Sequence, residues 1–169
     1  MTCLPAWEPW MREGHRTMPG VGLPGVGSLT SLDTGAMGEV WRGRSTVTGA
    51  PLAVKLLRAD VLDPAAVPRF QQEIEVVAGL SHPNVVYVLD VGRTSAASCW
   101  GEGTPYLVME LLTGGTLANL AGASWPVLRR ALVELLHGLG AAHAAGVVHR
   151  DLKPANVLLG AATDARPGL

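Results

Sequence analysis

Beyond Gly114–Gly115 the hydrophobic pattern of this 169-residue chain settles into a helical period, and that switch constrains its fold more than any other feature. Before the break, apolar residues come in short runs separated by turn residues: SLTSLD from Ser28, EVWRGRS from Glu39, PLAVKLL from Pro51, VVYVLDVG from Val85 and YLVMELL from Tyr106. Runs of this length, rich in Val and Leu and bounded by Gly, Thr and Pro, predict five strands, the first three forming a meander. Between the third and fourth, Phe70, Ile74, Val77 and Leu80 recur at helical spacing, with Asp63 as cap and Pro64 or Pro68 in the first turn, so a helix is expected over 64–80. After the break, Leu128, Leu132, Leu135 and Leu139 stand at i, i+4, i+7 and i+11 behind a Ser124 cap. This spacing predicts an amphipathic helix that ends near Ala145–Gly146, where glycine adopts the left-handed conformation readily. The pattern as a whole is α+β.

Composition narrows the function classes. A chain that is 48% hydrophobic and 16% charged has material for a core. A net charge of −1 with scattered Lys and Arg offers no footprint for nucleic acid or an anionic membrane. Cys3 and Cys99 lie far apart with no metal-ligand spacing, which points to reduced thiols in a cytoplasmic protein. No apolar run reaches the ~18 residues of a membrane helix, and the N-terminus lacks a secretory signal pattern. Residues 1–28, with PGVGLPGVG at Pro19–Gly27, are expected to be a flexible Pro/Gly-rich leader.

The chemistry is concentrated in HRDLKPAN, His149–Asn156, which lies in the turn after the second helix. Transfer of a phosphoryl group is mainly positioning and charge neutralisation, so it needs backbone donors, cations, a metal ligand and one base. The stretch resembles the protein-kinase catalytic-loop signature at His149, Arg150, Asp151, Leu152 and Asn156, and that resemblance implies Asp151 as the base that accepts or orients an attacking hydroxyl and Asn156 as a ligand for Mg²⁺. In LDTGAMGEV, Gly35, Gly38 and Val40 fit G-x-G-x-x-G-x-V, but Asp33 stands where the first Gly belongs and would mildly repel ATP. Lys55, in AVK on the third strand, is placed to meet the α- and β-phosphates, with Glu73 on the first helix as its ion-pair partner.

Taken in order, GAMGEV, AVK, the F-x-x-E helix, HPNVV at His82–Val86, YLVMELL and HRDLKPAN resemble a protein kinase domain of the bacterial serine/threonine type, from about Leu29 to Leu159. Lys153, two residues after Asp151, resembles the Ser/Thr subfamily. The resemblance implies an N-lobe over 29–112, consisting of a five-stranded antiparallel sheet with helix αC, and the first part of a helical C-lobe over 113–169. It implies ATP and Mg²⁺ as cofactors and a protein with Ser or Thr as substrate. Asp151, Lys153, Asn156, Lys55 and Glu73 would be the catalytic set. The nucleotide contacts would be Leu32, Gly35, Gly38, Val40, Ala53, Lys55, Met109 as gatekeeper, Glu110 and Leu112 in the hinge, and Leu158.

The departure from the family pattern is at the far end. No DFG follows Asn156, and Asp164 is followed by Ala-Arg, so the second Mg²⁺ ligand is missing. Weak or absent turnover is therefore expected of this chain. The competing class is a non-catalytic nucleotide-binding or interaction module, or a kinase remnant.

Overall fold

The computed structural model describes residues 17–18, 23–35, 38–57, 78–161 and 164. The five expected strands form as β2 Leu29–Gly35, β3 Gly38–Arg44, β4 Pro51–Leu57, β5 Val88–Arg93 and β6 Pro105–Glu110. A further two-residue strand, β1 Thr17–Met18, precedes them, and the sheet runs β1-β2-β3-β4-β6-β5. The helix expected over 64–80 falls for residues 64–77 outside the described residues, as does Glu73. Two compact units emerge among the described residues: one takes those up to 57 with 89–109, the other 78–88 with 110–164.

In the first unit, alternation along each strand sorts side chains between two faces. Antiparallel pairing sets Trp41 opposite Val54 and Gly43 opposite Leu52, all on one face. These join Leu29, Leu56, Tyr106 and Val108 in one core cluster, with Trp41 1% and Val54 0% exposed. Gly43 is glycine because a Cβ there would lie 2.8 Å from Leu29 Cδ2 and 3.0 Å from Leu52 Cδ1. Leu23 and Val26 are buried in the same cluster, and Thr17 and Met18 pair with Thr30 and Leu29. Most of the leader expected over 1–28 lies outside the described residues; of those described, Leu23 and Val26 are part of the core.

The 94–104 loop is tied to this core by polar contacts. Thr94 Oγ1 donates to the Gly101 carbonyl at 2.5 Å and accepts the Thr104 N–H at 2.9 Å, so the buried hydroxyl is satisfied on both sides. Glu39 Oε2 accepts from the indole N–H of both Trp41, at 3.1 Å, and Trp100, at 3.2 Å. The two rings meet edge to face, 5.5 Å between centroids and 73° between planes.

The second unit is built on α1, Trp125–Ala144, preceded by a 3₁₀ turn at Leu117–Leu120. Ser124 occupies the N-cap position in extended conformation, with Pro126 in the first turn, although its hydroxyl makes no capping bond. At the other end Gly146 has φ 78°. Val147 N–H donates to Ala142 O at 2.9 Å and Gly146 N–H to His143 O at 2.9 Å, the paired bonds of a Schellman stop. Gly138 is the buried residue of α1, and a Cβ there would lie 2.4 Å from the Asn84 carbonyl oxygen. Asn84 is itself held by His82, whose Nδ1 accepts its N–H at 3.1 Å. No described helix is long and apolar enough to cross a membrane.

Residues 114–117 pair antiparallel with 157–159: Gly114 N–H to Leu159 O is 2.9 Å, Leu159 N–H to Gly115 O 2.8 Å, and Leu117 N–H to Val157 O 2.8 Å. Asp164, 7% exposed, closes the same region. Its Oδ1 accepts the Thr113 hydroxyl at 2.5 Å, and its Oδ2 accepts the N–H groups of Thr113 at 3.0 Å and Ala161 at 2.7 Å. Burial acts to raise its pKa, but these donors outweigh that and hold the carboxyl below its ordinary value.

Two expectations follow from this packing. Gly138→Ala should destabilise the chain by about 1–3 kcal/mol despite the better helix propensity of Ala, because the atom in the way is backbone; a urea midpoint equal to or above wild type would contradict the close approach. Asp164 has a folded pKa below the unfolded value of about 3.9, so its contribution is complete above that value and is lost as pH falls through the folded one. Urea unfolding at pH 7 and pH 3 should show a smaller acid loss in Asp164→Asn than in wild type, and equal losses would remove the clamp from the account.

Candidate functional site

The residues singled out from the sequence occupy both units, and each half has its own geometry. In the first unit Val40 pairs with Lys55, and Arg42 with Ala53. Directly opposed residues of an antiparallel pair project to the same face, so Val40, Lys55, Arg42 and Ala53 share the face opposite Trp41 and Val54. Met109 joins them by alternation with Tyr106 and Val108, which point into the core. Lys55 is half-buried and Ala53 is 5% exposed. The face therefore carries apolar Val40, Ala53 and Met109 together with two cations, Lys55 and the exposed Arg42.

At one edge of this face β2 turns into β3. Gly35 pairs with Gly38, and Gly38 has φ 142°, a conformation that disfavours any side chain. The ladder shifts between Ser31, opposite Trp41, and Asp33, opposite Val40. Leu32 is thus the additional residue of a β-bulge and is 50% exposed.

In the second unit the segment from Glu110 to Leu112 follows β6. Glu110 is buried; its N–H donates to Tyr87 O at 3.0 Å, and its Oε1 accepts the Tyr87 N–H at 2.7 Å. That amide is thus already engaged within the chain. Leu158 is held beside the post-hinge segment by its bridge to Thr116.

The HRDLKPAN loop is shaped by a local strain. Arg150 has φ 58°, the left-handed region that costs a non-glycine residue on the order of 1 kcal/mol. Asp151 N–H donates back to the His149 carbonyl at 2.7 Å, so the chain reverses within three residues. The reversal brings three expected residues together. Lys153 Nζ lies 2.9 Å from Asp151 Oδ2, and Asn156 Nδ2 donates to the same Oδ2 at 2.8 Å and to the Asp151 carbonyl at 2.9 Å. Asn156 is delivered by the 3₁₀ turn Pro154–Asn156, with proline in its first position. The Lys153 hydrogen bond first, and the Asn156 one second, hold the Asp151 carboxyl below its ordinary pKa. A carboxylate so stabilised is a weak base near neutral pH and a strong hydrogen-bond acceptor. Both contacts fall on Oδ2, so Oδ1 is the oxygen presented to an incoming group.

Several structural contributors escaped the sequence reading. Thr113 and Asp164 carry no motif, and neither does the carboxylate of Glu39 shared by two indoles. Gly114 had a usable signal, since paired glycines after a strand often mark close backbone approach: a Cβ there would lie 2.5 Å from the Leu159 carbonyl oxygen.

Comparison with known proteins agrees with this arrangement. Residues 28–166 match the protein kinase domain family. The chain is 39% identical over 147 residues to serine/threonine-protein kinase PknA of Mycobacterium tuberculosis, covering 83% of this chain and 33% of that protein. It is 35% identical over 133 residues to serine/threonine-protein kinase pkn3 of Myxococcus xanthus, covering 76% and 23%. Among solved structures, the M. tuberculosis PknI kinase domain superposes with a TM-score of 0.71 at 28% identity, covering 85% of this chain and 57% of that one. The chain therefore spans a third or less of the length of these curated relatives and somewhat over half of the solved domain. It belongs to the protein kinase family and is of the bacterial serine/threonine type.

Proposed function

We propose that this chain binds ATP with Mg²⁺ and directs transfer of the γ-phosphoryl group to serine or threonine hydroxyls of proteins. The observation that carries the reading is the convergence of Lys153 and Asn156 on Asp151 Oδ2 within 2.9 Å, which leaves one carboxylate oxygen for a substrate hydroxyl. ATP, with Mg²⁺ neutralising its phosphates, supplies the phosphoryl group. Asp151 Oδ1 accepts the hydrogen bond from the substrate hydroxyl, orients its oxygen toward phosphorus and receives the proton as that oxygen bonds. Lys153 offsets the negative charge beside the reacting groups. Asn156, whose amide nitrogen is engaged by Asp151, would hold Mg²⁺ through its side-chain oxygen, and the cation would neutralise phosphate charge. Lys55 would meet the α- and β-phosphates, and backbone N–H groups at the turn between Gly35 and Gly38 would approach phosphate oxygens. Leu32, Val40, Ala53 and Met109, all in the first unit, would meet the adenine ring.

A second reading, nucleotide binding without transfer, is favoured by Asp164. This next carboxylate after Asn156 in the chain has both oxygens engaged by Thr113 and Ala161, so it does not serve as a partner ligand to Asn156.

Two measurements separate the readings. MgATP at about 100 times its Kd should stabilise the chain by about 2.7 kcal/mol, with the stabilisation lost in Lys55→Met. No thermal shift at any magnesium concentration would remove both readings. Phosphotransfer to a generic Ser/Thr protein substrate should fall at least about 100-fold in Asp151→Asn, given what a positioned acid–base group contributes. Stabilisation without any transfer would leave the binding module.

A further inference from the structure

We propose that Asp33 sets the ligand preference of the nucleotide face, weakening its hold on polyphosphate relative to bare nucleoside. The inference rests on the nucleotide-binding reading above and adds a determinant within that site.

The β-bulge is what places the carboxylate there. Had the register continued from Ser31 opposite Trp41, Leu32 alone would stand opposite Val40, and Asp33 would alternate to the core side of the sheet. The extra residue instead sets Asp33 opposite Val40, and Val40 opposite Lys55. Asp33, Val40 and Lys55 thus form one cross-strand row on one face, with Asp33 and Lys55 two strand spacings apart, about 10 Å. The row begins with an anion and ends with a cation, and the apolar residue expected to meet adenine lies between them. Arg42, opposite Thr30 and Ala53 on the same face, stands one pleat further from the turn between Gly35 and Gly38.

Two local facts sharpen the role of the carboxylate. Asp33 Oδ1 accepts the N–H of Thr34 at 2.8 Å, so the backbone donor beside Gly35 is already satisfied by an anion of the chain itself. Among the described non-glycine residues only Arg150 has positive φ, so Asp33 occupies its place without backbone strain. A glycine there would have no conformational advantage to offer, and what distinguishes Asp33 from glycine is its charge. Lys55 attracts the phosphates from one end of the row while Asp33 opposes their charge near the turn.

The test measures the affinities of the full chain for MgATP and for adenosine by equilibrium dialysis, in wild type, Asp33→Asn and Asp33→Gly, with circular dichroism to verify equal folding. Removing one charge about 10 Å from a polyanion should tighten MgATP binding roughly three- to tenfold at low salt, less as salt rises. Adenosine affinity should stay the same in all three proteins, and Asn should match Gly. If the ratio of the two affinities is unchanged in Asp33→Asn, or if only the glycine variant gains, charge is not the determinant and the proposal is overturned while nucleotide binding stands. Failure of wild type and both variants to bind either ligand would overturn the nucleotide reading itself, and this inference with it.

Discussion

The pairing of Val40 with Lys55 is the constraint on which the first unit of this kinase-family chain depends. Side chains of a strand alternate with a period of two, so a slip of one residue would send Lys55 into the core and Val54 out of it. The register is held by burial on the other face. Trp41, 1% exposed, and Val54, fully buried, each contribute about 1.5–3 kcal/mol that a slip would forfeit, and an unpaired ammonium in the core would add its own desolvation cost. Packing on the inner face therefore aims the functional groups on the outer one. Glu39 extends the same control to the 94–104 loop, because its carboxylate binds the indole of the strand and the indole of the loop at once.

In the second unit the equivalent role falls to backbone. The 114–117 segment and the 157–159 segment exchange hydrogen bonds on either side of the Thr116–Leu158 bridge. The exit of the HRDLKPAN loop is thereby fixed to the chain that leaves β6. Asp164 reinforces the join from the side, accepting two N–H groups and a hydroxyl on one carboxylate. The loop's own shape comes from the reversal at Arg150 and the contacts of Lys153 and Asn156 to Asp151.

Much of this could be read from residue order, for identifiable reasons. Strand positions follow from short apolar runs between turn residues, and the end of α1 from Gly146, whose φ of 78° is what a glycine after a helix permits. Asp151, Lys153 and Asn156 could be singled out because they lie in one six-residue motif, but their contacts depend on the reversal at Arg150, which the order of residues does not show. What stayed hidden was nonlocal or conformational. Nothing in the order of residues announces that Asp164 reaches Thr113, that Leu32 sits in a bulge, or that Leu23 and Val26 leave a Pro/Gly-rich stretch to enter the core. The Pro and Gly around them gave no periodic signal from which the burial of those two side chains could be read.

The left-handed Arg150 carries a consequence for how this protein could be altered. Its φ of 58° is a standing charge against folding, retained at the residue that turns Asp151 into place. Glycine would adopt that conformation with ease, at the cost of the arginine side chain. Selection for thermal endurance alone would be drawn to this position, and the gain would come at the expense of the active-site loop. Position 150 is thus a place where durability and chemistry compete for one residue.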